Sequence, residues 1–268
     1  MGKPEQAAAA FVKYLEHVPK TEARHTARSA AVVSFVPYQA AFEKLIELRP
    51  DDTHLVVCRG RDHLARGRYT DAAADYRRII ATRPASEDWV EAGEAYLLSG
   101  DAAGYRDLCQ ALIGKAGEKL EPFDYFVLAR CGGLSPSSEV APSRLIDCAK
   151  KALDSGSAPW YQHALGLAHY RAGAFEHAIE QLEQSNASGW GDEAKSQNWL
   201  VLAMAHARAG RPEQARQCLE RARSIARKAV PKEPGQPGRA YPVDWGEIQV
   251  LLREAELVVE GKRVEPSH

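Results

Sequence analysis

Residues 53–84 read THLVVCRGRDHLARGRYTDAAADYRRIIATRP, and this stretch decides the fold. It predicts two short helices joined by a tight turn at Gly67, because a helix commonly ends on a left-handed residue and glycine adopts that conformation without steric cost. Gly60 in the first helix and Ala72 in the second are small, so two antiparallel helices can approach closely there. Pro84 ends the second helix.

The same small residues recur along the chain in two series. The first series is Gly60, Gly93, Gly166 and Ala203, and the second, seven residues later each time, is Gly67, Gly100, Gly173 and Gly210. The steps of 33, 73 and 37 residues give a period in the thirties, and the middle step holds two repeats, one of them degenerate. A period of this length predicts a helical solenoid, in which each unit packs on its neighbours.

The unit that begins at Thr53 resembles the tetratricopeptide repeat. It has small residues at its positions 8 and 20, glycine at 15, an aromatic residue at 17 and proline at 32. The resemblance covers residues 20–228 and implies an all-α, right-handed solenoid of about five helix pairs with a C-terminal capping helix. The last third, with NWLVLAMAHARAG and LLREAE, also resembles the helical tails of large bacterial serine/threonine kinases and β-propeller proteins.

The chain is expected to contain four segments. They are an N-terminal helix in residues 1–19, the repeat array in 20–229, a linker in 230–243 and the capping helix in 244–261. The linker is predicted from three prolines and two glycines in residues 230–241, and the capping helix from an apolar stripe that Asp244 precedes and Gly261 ends. Residues 131–142, CGGLSPSSEVAP, predict a loop inserted into the degenerate repeat.

Composition argues against some classes of function but does not identify the function. The net charge of -1 gives no electrostatic reason to expect nucleic acid or a membrane as a partner. The five cysteines contain no CxxC pair and are expected to be reduced core residues. No secretory signal and no stretch of transmembrane length is present, so we expect a cytoplasmic location.

Motifs for catalysis are missing from the sequence. It has no phosphate-binding glycine loop, no HRD or DFG and no GxSxG elbow, so we expect no enzyme activity, no catalytic residue and no cofactor. His63, His169 and His206 all occupy repeat position 11, where we expect them to pack in place of an aromatic residue rather than bind metal. The leading interpretation is a noncatalytic protein–protein interaction scaffold in bacterial signalling or assembly.

The resemblance also predicts where a partner binds. In such solenoids the first helix of each pair lines the concave groove, and a peptide or partner segment lies in it. Large aromatic and cationic side chains at groove positions are the candidates, because such residues anchor interfaces. The predicted partner-binding residues are Arg61, Trp160, His163, Tyr170, Arg171, Met204 and Arg208.

Two other functions remain open at this point. The Arg-rich helix of residues 213–228 could bind nucleic acid, since residues 203–232 carry eight Lys or Arg against two Glu. The alternative for this helix is a solvated outer face that the acidic last helix partly neutralises. A regulatory domain that senses a small ligand or peptide in the groove is the other possibility.

Overall fold

The computed structural model describes residues 39–49, 52–82, 86–115, 120–229 and 242–261, with positions 6, 9, 10 and 13. Within these residues every regular element is a helix, so the predicted helical-repeat fold is confirmed. Apart from those four positions, the predicted N-terminal helix lies outside the described residues. So does most of the predicted linker, although the last helix begins two residues earlier than expected, at Pro242. Proline suits the first turn of a helix because an N–H at that position would have no intrahelical partner.

The chain divides into two compact units, Met1–Arg83 and Pro84–His268. The first unit contains α1 (Gln39–Leu48), α2 (Thr53–Ala65) and α3 (Tyr69–Ile80). Arg59 of α2 ties the three helices together, donating to Asp75 of α3 at 2.6 and 3.0 Å and to Glu43 of α1 at 2.6 Å. Burial would raise the pKa of Asp75, but His63 and Arg59 together lower it. Asp75 therefore stays ionised and keeps α2 and α3 in register.

The described residues of the second unit form four helix pairs and a final helix. The pairs are α4 (Ser86–Ser99) with α5 (Ala102–Lys115), α6 (Pro122–Gly133) with α7 (Pro142–Leu153), α8 (Pro159–Arg171) with α9 (Phe175–Ala187), and α10 (Asp192–Arg208) with α11 (Pro212–Ala229). The final helix is α12 (Pro242–Glu260). With α2 and α3, the described residues contain five pairs, as the sequence predicts. No helix in the described part of the chain is long and apolar enough to cross a membrane.

The turn glycines have the predicted conformation. Gly67, Gly100, Gly173 and Gly210 have φ of 73°, 84°, 74° and 75°. Each turn is closed in the same way, as when the N–H of Arg68 donates to the carbonyl of His63 at 2.8 Å. This is the bond of a Schellman helix end, which requires a left-handed residue just before its donor. The spacing of the second glycine series therefore reflects one repeated helix ending.

The first glycine series makes room for a large residue of the paired helix. A Cβ atom on Gly60 would lie 2.9 Å from the Tyr76 ring, and one on Gly166 would lie 2.6 Å from Cγ of Leu182. Tyr76 and Leu182 are both fully buried. Glycine in the first helix thus faces a bulky residue of the paired helix, where the sequence suggested a small-to-small contact with Ala72.

The inserted loop is shorter than predicted. Cys131, Gly132 and Gly133 belong to the last turn of α6, and a short 3-10 helix, Pro136–Ser138, follows. These glycines are helical because helices pack against them: a Cβ on Gly132 would lie 2.8 Å from Leu145, and one on Gly133 would lie 3.0 Å from Leu167. Gly-rich sequence therefore indicated close packing here, and the prediction of a loop across residues 131–133 is wrong.

Gly166→Leu should separate α8 from α9. Leu182 and the Ala178 carbonyl already occupy the space that a side chain would need, so we expect a loss of about 1–3 kcal/mol or more in unfolding free energy. Urea denaturation followed by circular dichroism measures it. Gly114→Leu is the control, because Gly114 lies in α5 with no atom within 4 Å of its added Cβ. An equal loss in both variants would contradict the packing role of Gly166.

Candidate functional site: the first-helix face and the helix that covers it

The second unit presents one face made from the first helix of each pair. We call this surface, formed by α4, α6, α8 and α10, the first-helix face. The final helix α12 packs on α10 and α11, as expected of a cap, but it also packs on α4 and hydrogen-bonds to α6 and α8. The predicted capping helix thus does more than close the end of the array: it lies across the first-helix face.

A buried carboxylate holds the centre of this contact. Glu247 of α12 accepts a hydrogen bond from Nε of Arg130 on α6 at 2.5 Å, and its other oxygen lies 2.8 Å from Nε2 of His163 on α8. Glu247 and His163 are 0% exposed. Arg130 also donates to Asp244, one turn earlier on α12, at 3.0 Å. Charge-assisted bonds of this kind are stronger and more directional than neutral ones, so they fix the position of α12 along the face.

The polar contact continues inward from His163. Nδ1 of His163 lies 2.7 Å from Oδ1 of Asn198 on α10, and the Asn198 amide donates to Ser185 Oγ on α9 at 2.9 Å. Ser185 in turn donates to the carbonyl of Pro159 at 2.8 Å. The imidazole is therefore held at both nitrogens, and its orientation toward Glu247 is set by two further helices.

Glu247 remains charged in this site. Burial would raise its pKa, but the charge of Arg130 and the charge and hydrogen bond of His163 lower the pKa to about 2. The pKa of Arg130 is raised, since the nearby carboxylates of Glu247 and Asp244 outweigh the effect of burial. A lowered carboxylate pKa stabilises the fold above pH 4.5, the ordinary value, and that contribution is lost only as pH falls toward about 2.

A second anchor lies two turns further along α12. Arg171 of α8 forms a bidentate pair with Glu254, including an Nη2–Oε2 bond of 2.7 Å. The same guanidinium donates to the carbonyls of Gly133 at 2.7 Å and Leu134 at 2.8 Å, at the end of α6. Carbonyls at the end of a helix lack intrahelical donors, so Arg171 satisfies α6 and binds α12 together.

Apolar contacts fill the space between the two anchors. Ile248, Leu251 and Ala255 of α12 are fully buried in one cluster with Leu167 of α8 and Met204 of α10. On α12 itself, the acidic Asp244, Glu247 and Glu254 share a single stripe with Ile248, Leu251 and Ala255, at spacings of three and four residues. The stripe is the surface that α12 turns toward the first-helix face.

Arg223 forms the third anchor, at the far end of α12. It donates to Glu256 at 2.7 Å and to Glu260 at 2.7 Å, and also to Glu220 on its own helix α11 at 2.8 Å. These bonds raise the pKa of Arg223, the bond to Glu260 being the largest cause. This contact is partly exposed, so its contribution to stability is small. The outer face suggested for the Arg-rich helix does meet the acidic last helix at this residue.

One carboxyl group under α12 is unsatisfied. Glu94 of α4 is 0% exposed, and neither of its oxygens has a hydrogen-bond partner. It lies directly beneath Gly246, where an added Cβ would come within 2.0 Å of Oε2. Burial raises its pKa well above the ordinary value, Arg130 opposes this effect, and the carboxylates of Glu247, Glu91 and Asp244 add to it. Ionised Glu94 therefore opposes the docking of α12.

The predicted partner-binding residues fall into three groups. His163, Tyr170, Arg171 and Met204 lie on the first-helix face and are covered or contacted by α12 and its cluster. Trp160, 40% exposed, lies in the first turn of α8, and the exposed Arg208 is the last residue of α10. Arg61 belongs to the first unit, on α2.

Sequence reasoning missed the polar partners of these residues. Arg130 sat in the degenerate repeat, and Asn198 carried no repeat signal. The available signal was the spacing of Asp244, Glu247 and Glu254, which places three acids on the side of the helix that carries its apolar stripe. Buried carboxylates require cations on the surface that they meet.

The described residues contain little that could support chemistry. No group of three His, Cys, Asp or Glu side chains among them could hold a metal ion. All five cysteines are buried free thiols, and burial raises the pKa of Cys148 and Cys218. His63, at 7% exposed, lies 3.3 Å from Asp75, and His169 stacks on His177 at 5.3 Å.

Comparisons with known proteins agree with this architecture. Two segments, residues 59–119 and 200–234, match the family described as tetratricopeptide repeat. A chain of the APC/C hetero-tetramer Cut9–Hcn1 is similar over 84% of this chain at 12% identity, with a TM-score of 0.55. This chain spans 44% of that chain's length. At this identity the likeness reflects a shared fold.

Two further solved structures are more distant. MamA is similar over 63% of this chain and 95% of its own, at 16% identity and a TM-score of 0.36. The TPR2AB domain of yeast Sti1, in a complex with pHSP90, is similar over 88% of this chain and 100% of its own, at 15% identity and a TM-score of 0.34. No curated protein matches the sequence.

The paired helices and repeated turn glycines define a helical-repeat protein. With the two family matches at residues 59–119 and 200–234, these features support a tetratricopeptide-repeat protein. Repeats of this family generally serve as noncatalytic protein-interaction modules, so the repeats and their fold support a protein–protein interaction scaffold.

Glu94→Gln should make the protein more stable at high pH. The raised pKa of Glu94 means that the folded state keeps a proton which the unfolded state releases above pH 4.5, so this stabilisation is lost as pH rises further. Glutamine removes the titration. The melting temperature of the wild type should fall relative to that of the variant as pH rises above 4.5, the ordinary pKa. Glu139→Gln, at an exposed ion pair with Arg106, is the control and should follow the wild type. Parallel curves for wild type and Glu94→Gln would contradict the buried ionisation.

Proposed function

We propose that this chain is a noncatalytic scaffold that binds a helical segment of a partner protein on its first-helix face. We place it in the cytoplasm, within bacterial signalling or assembly. The observation that carries the proposal is the seating of α12, because the surface that the sequence predicted for a partner already holds a helix. No residue on this face is assigned a catalytic role.

The chemistry of the face supports a helix as the ligand. It offers two arginines for bidentate or paired binding of carboxylates, Arg130 and Arg171, separated by the apolar floor of Leu167 and Met204. Aligned cationic anchors with an apolar strip between them suit an amphipathic helix, whose side chains return to one face every three to four residues. Anchors of this kind carry much of the binding energy in protein interfaces.

The exposed ends of the face extend the proposed site beyond α12. Trp160 precedes His163 by one turn on α8, and its ring lies 5.9 Å from that of Tyr161. Tyr161 contacts Phe126, which contacts Phe123, at ring distances of 5.3 and 5.5 Å. Trp160 and Phe123 are among the exposed large hydrophobic residues of the described chain. A partner longer than α12 would gain this aromatic contact.

Ion pairing weakens the case for nucleic acid on the Arg-rich helix. Arg211 pairs with Glu176, Arg216 with Glu213 and Arg223 with Glu220, Glu256 and Glu260. Arg221 lies over the Trp199 ring at 4.1 Å. These arginines have acidic or aromatic partners on the protein itself, which supports the interpretation of a solvated, partly neutralised surface.

Affinity capture with exposed-end variants tests the proposal. Trp160→Ala and Arg208→Ala should each reduce recovery of bound proteins from a lysate of the source organism at least about tenfold, since truncation at an interface anchor costs about 2 kcal/mol or more. Both side chains are exposed, so melting temperatures should stay close to that of the wild type. Tyr170 is unsuitable for this purpose, because it is 7% exposed and belongs to the buried cluster.

Arg216→Ala provides the matched control on the opposite helix of the last pair. Its side chain is 60% exposed and pairs only locally, with Glu213. The same proteins should be captured by this variant and by the wild type. If Arg216→Ala abolished capture while Trp160→Ala and Arg208→Ala did not, the Arg-rich helix would be the binding site instead. Loss that grew steeply with salt would then indicate nucleic acid.

A further inference from the structure

We infer that α12 is an internal occupant of the partner site, and that the partner is an acidic amphipathic helix which displaces it. This inference rests on the proposed function. The stripe that α12 turns toward the face specifies the chemistry of the partner. The partner helix carries carboxylates at the spacing of Glu247 and Glu254 and a glycine at the position of Gly246. Its apolar residues have the spacing of Ile248, Leu251 and Ala255.

Charge complementarity commits the face to an acidic helix. Arg130 and His163 converge on one carboxylate, and Arg171 forms a bidentate pair with a second one seven residues later. Seven residues are about two helical turns, so only a helix presents both acids on one side. A basic or uncharged helix would leave Arg130, His163 and Arg171 without the carboxylates that they bind here.

The glycine follows from the space above Glu94. A Cβ at position 246 would lie 2.0 Å from Oε2, 2.6 Å from Cδ and 3.1 Å from Cβ of Glu94. A small shift of the flexible carboxyl end could accommodate an alanine. A larger side chain would have to displace Glu94, which is itself 0% exposed.

The composition of the contact favours an exchangeable occupant. Permanently buried cores are mainly apolar, whereas this contact adds Arg130, Glu247 and His163 to its apolar residues and also buries Glu94 without a partner. When α12 leaves, these groups can be hydrated, and the unfavourable burial of Glu94 ends. Contacts between segments of one chain with such polar surfaces resemble transient protein interfaces.

Covalent attachment of α12 sets the threshold that a partner must overcome. A segment of the same chain competes at an effective concentration on the order of 1 mM. A free helix with an intrinsic dissociation constant of about 1 μM would therefore bind about a thousandfold more weakly to the wild type than to a chain with α12 displaced. A change that weakens α12 alone should raise the affinity for the same helix in trans.

Gly246→Leu in the full chain tests this directly. Leucine favours a helix more than glycine does, so α12 can stay helical, but it cannot seat over Glu94. The probe is a fluorescently labelled synthetic peptide with the wild-type sequence of residues 242–261. Fluorescence anisotropy should show at least about a hundredfold tighter binding to Gly246→Leu than to the wild type. The same peptide with Gly246→Leu should bind to neither protein.

Glu254→Gln in the full chain is the second variant, and it removes the acid that Arg171 holds. The wild-type peptide supplies that acid in trans. It should therefore bind the Glu254→Gln chain more tightly than it binds the wild-type chain. A peptide carrying Glu254→Gln should bind at least about tenfold more weakly. This variant keeps the inference testable if leucine at 246 prevents folding, which circular dichroism would report.

The outcomes separate the two claims. Equal, tight peptide binding to the wild type and to both variants would overturn the internal competition and leave the helix-binding face intact. No binding to any folded variant, with α12 cleaved by protease only in the variants, would overturn both. A wild-type chain that light scattering shows to be a dimer, and that becomes a monomer in Gly246→Leu, would assign the site to a second copy and overturn the assignment to another protein.

Discussion

The carboxylate of Glu247 is the constraint on which the position of α12 depends. It is fully buried between Arg130 and His163, which come from two different helix pairs. An ionised carboxylate in such a place is tolerated only when its partners are correctly positioned, and removing one partner from such a pair typically costs about 3–5 kcal/mol. One residue of α12 therefore links the position of that helix to the packing of α6 against α8. Asn198 and Ser185 extend the same requirement to α10 and α9.

The repeat architecture is what brings these groups together. Gly166 lets Leu182 of α9 pack close to α8. In the same way, Gly132 and Gly133 let Leu145 of α7 and Leu167 of α8 pack close to α6. Because adjacent helices approach this closely, side chains from the first helix of each pair form one continuous face. The surface that was predicted to bind a partner is here covered by a helix of the same chain, α12. The repeats and the site are thus consequences of the same close packing.

Sequence reasoning reached the fold because the repeat leaves a local signal. Left-handed glycines at 67, 100, 173 and 210 each report one turn, and their spacing requires no knowledge of distant contacts. The position of α12 leaves no such signal, since the pairing of Arg130 with Glu247 joins residues 117 positions apart. The same limit explains Arg171, which was predicted to bind a partner and which binds Glu254. Gly132 and Gly133 led to a wrong loop prediction for a related reason. Glycine occurs both in loops and where two helices approach closely, and only tertiary contacts distinguish the two cases.

Hydrogen exchange of the α12 amides tests the central claim most directly. If α12 is held on the first-helix face by Glu247, its amides should be protected about as strongly as those of α8 in the wild type. In Glu247→Gln they should exchange at least about tenfold faster, with α8 and α9 far less affected. Glu213→Gln is the matched control, since Glu213 is 74% exposed and its pair with Arg216 is local. Rapid exchange of α12 in the wild type, or no difference between Glu247→Gln and Glu213→Gln, would contradict the account.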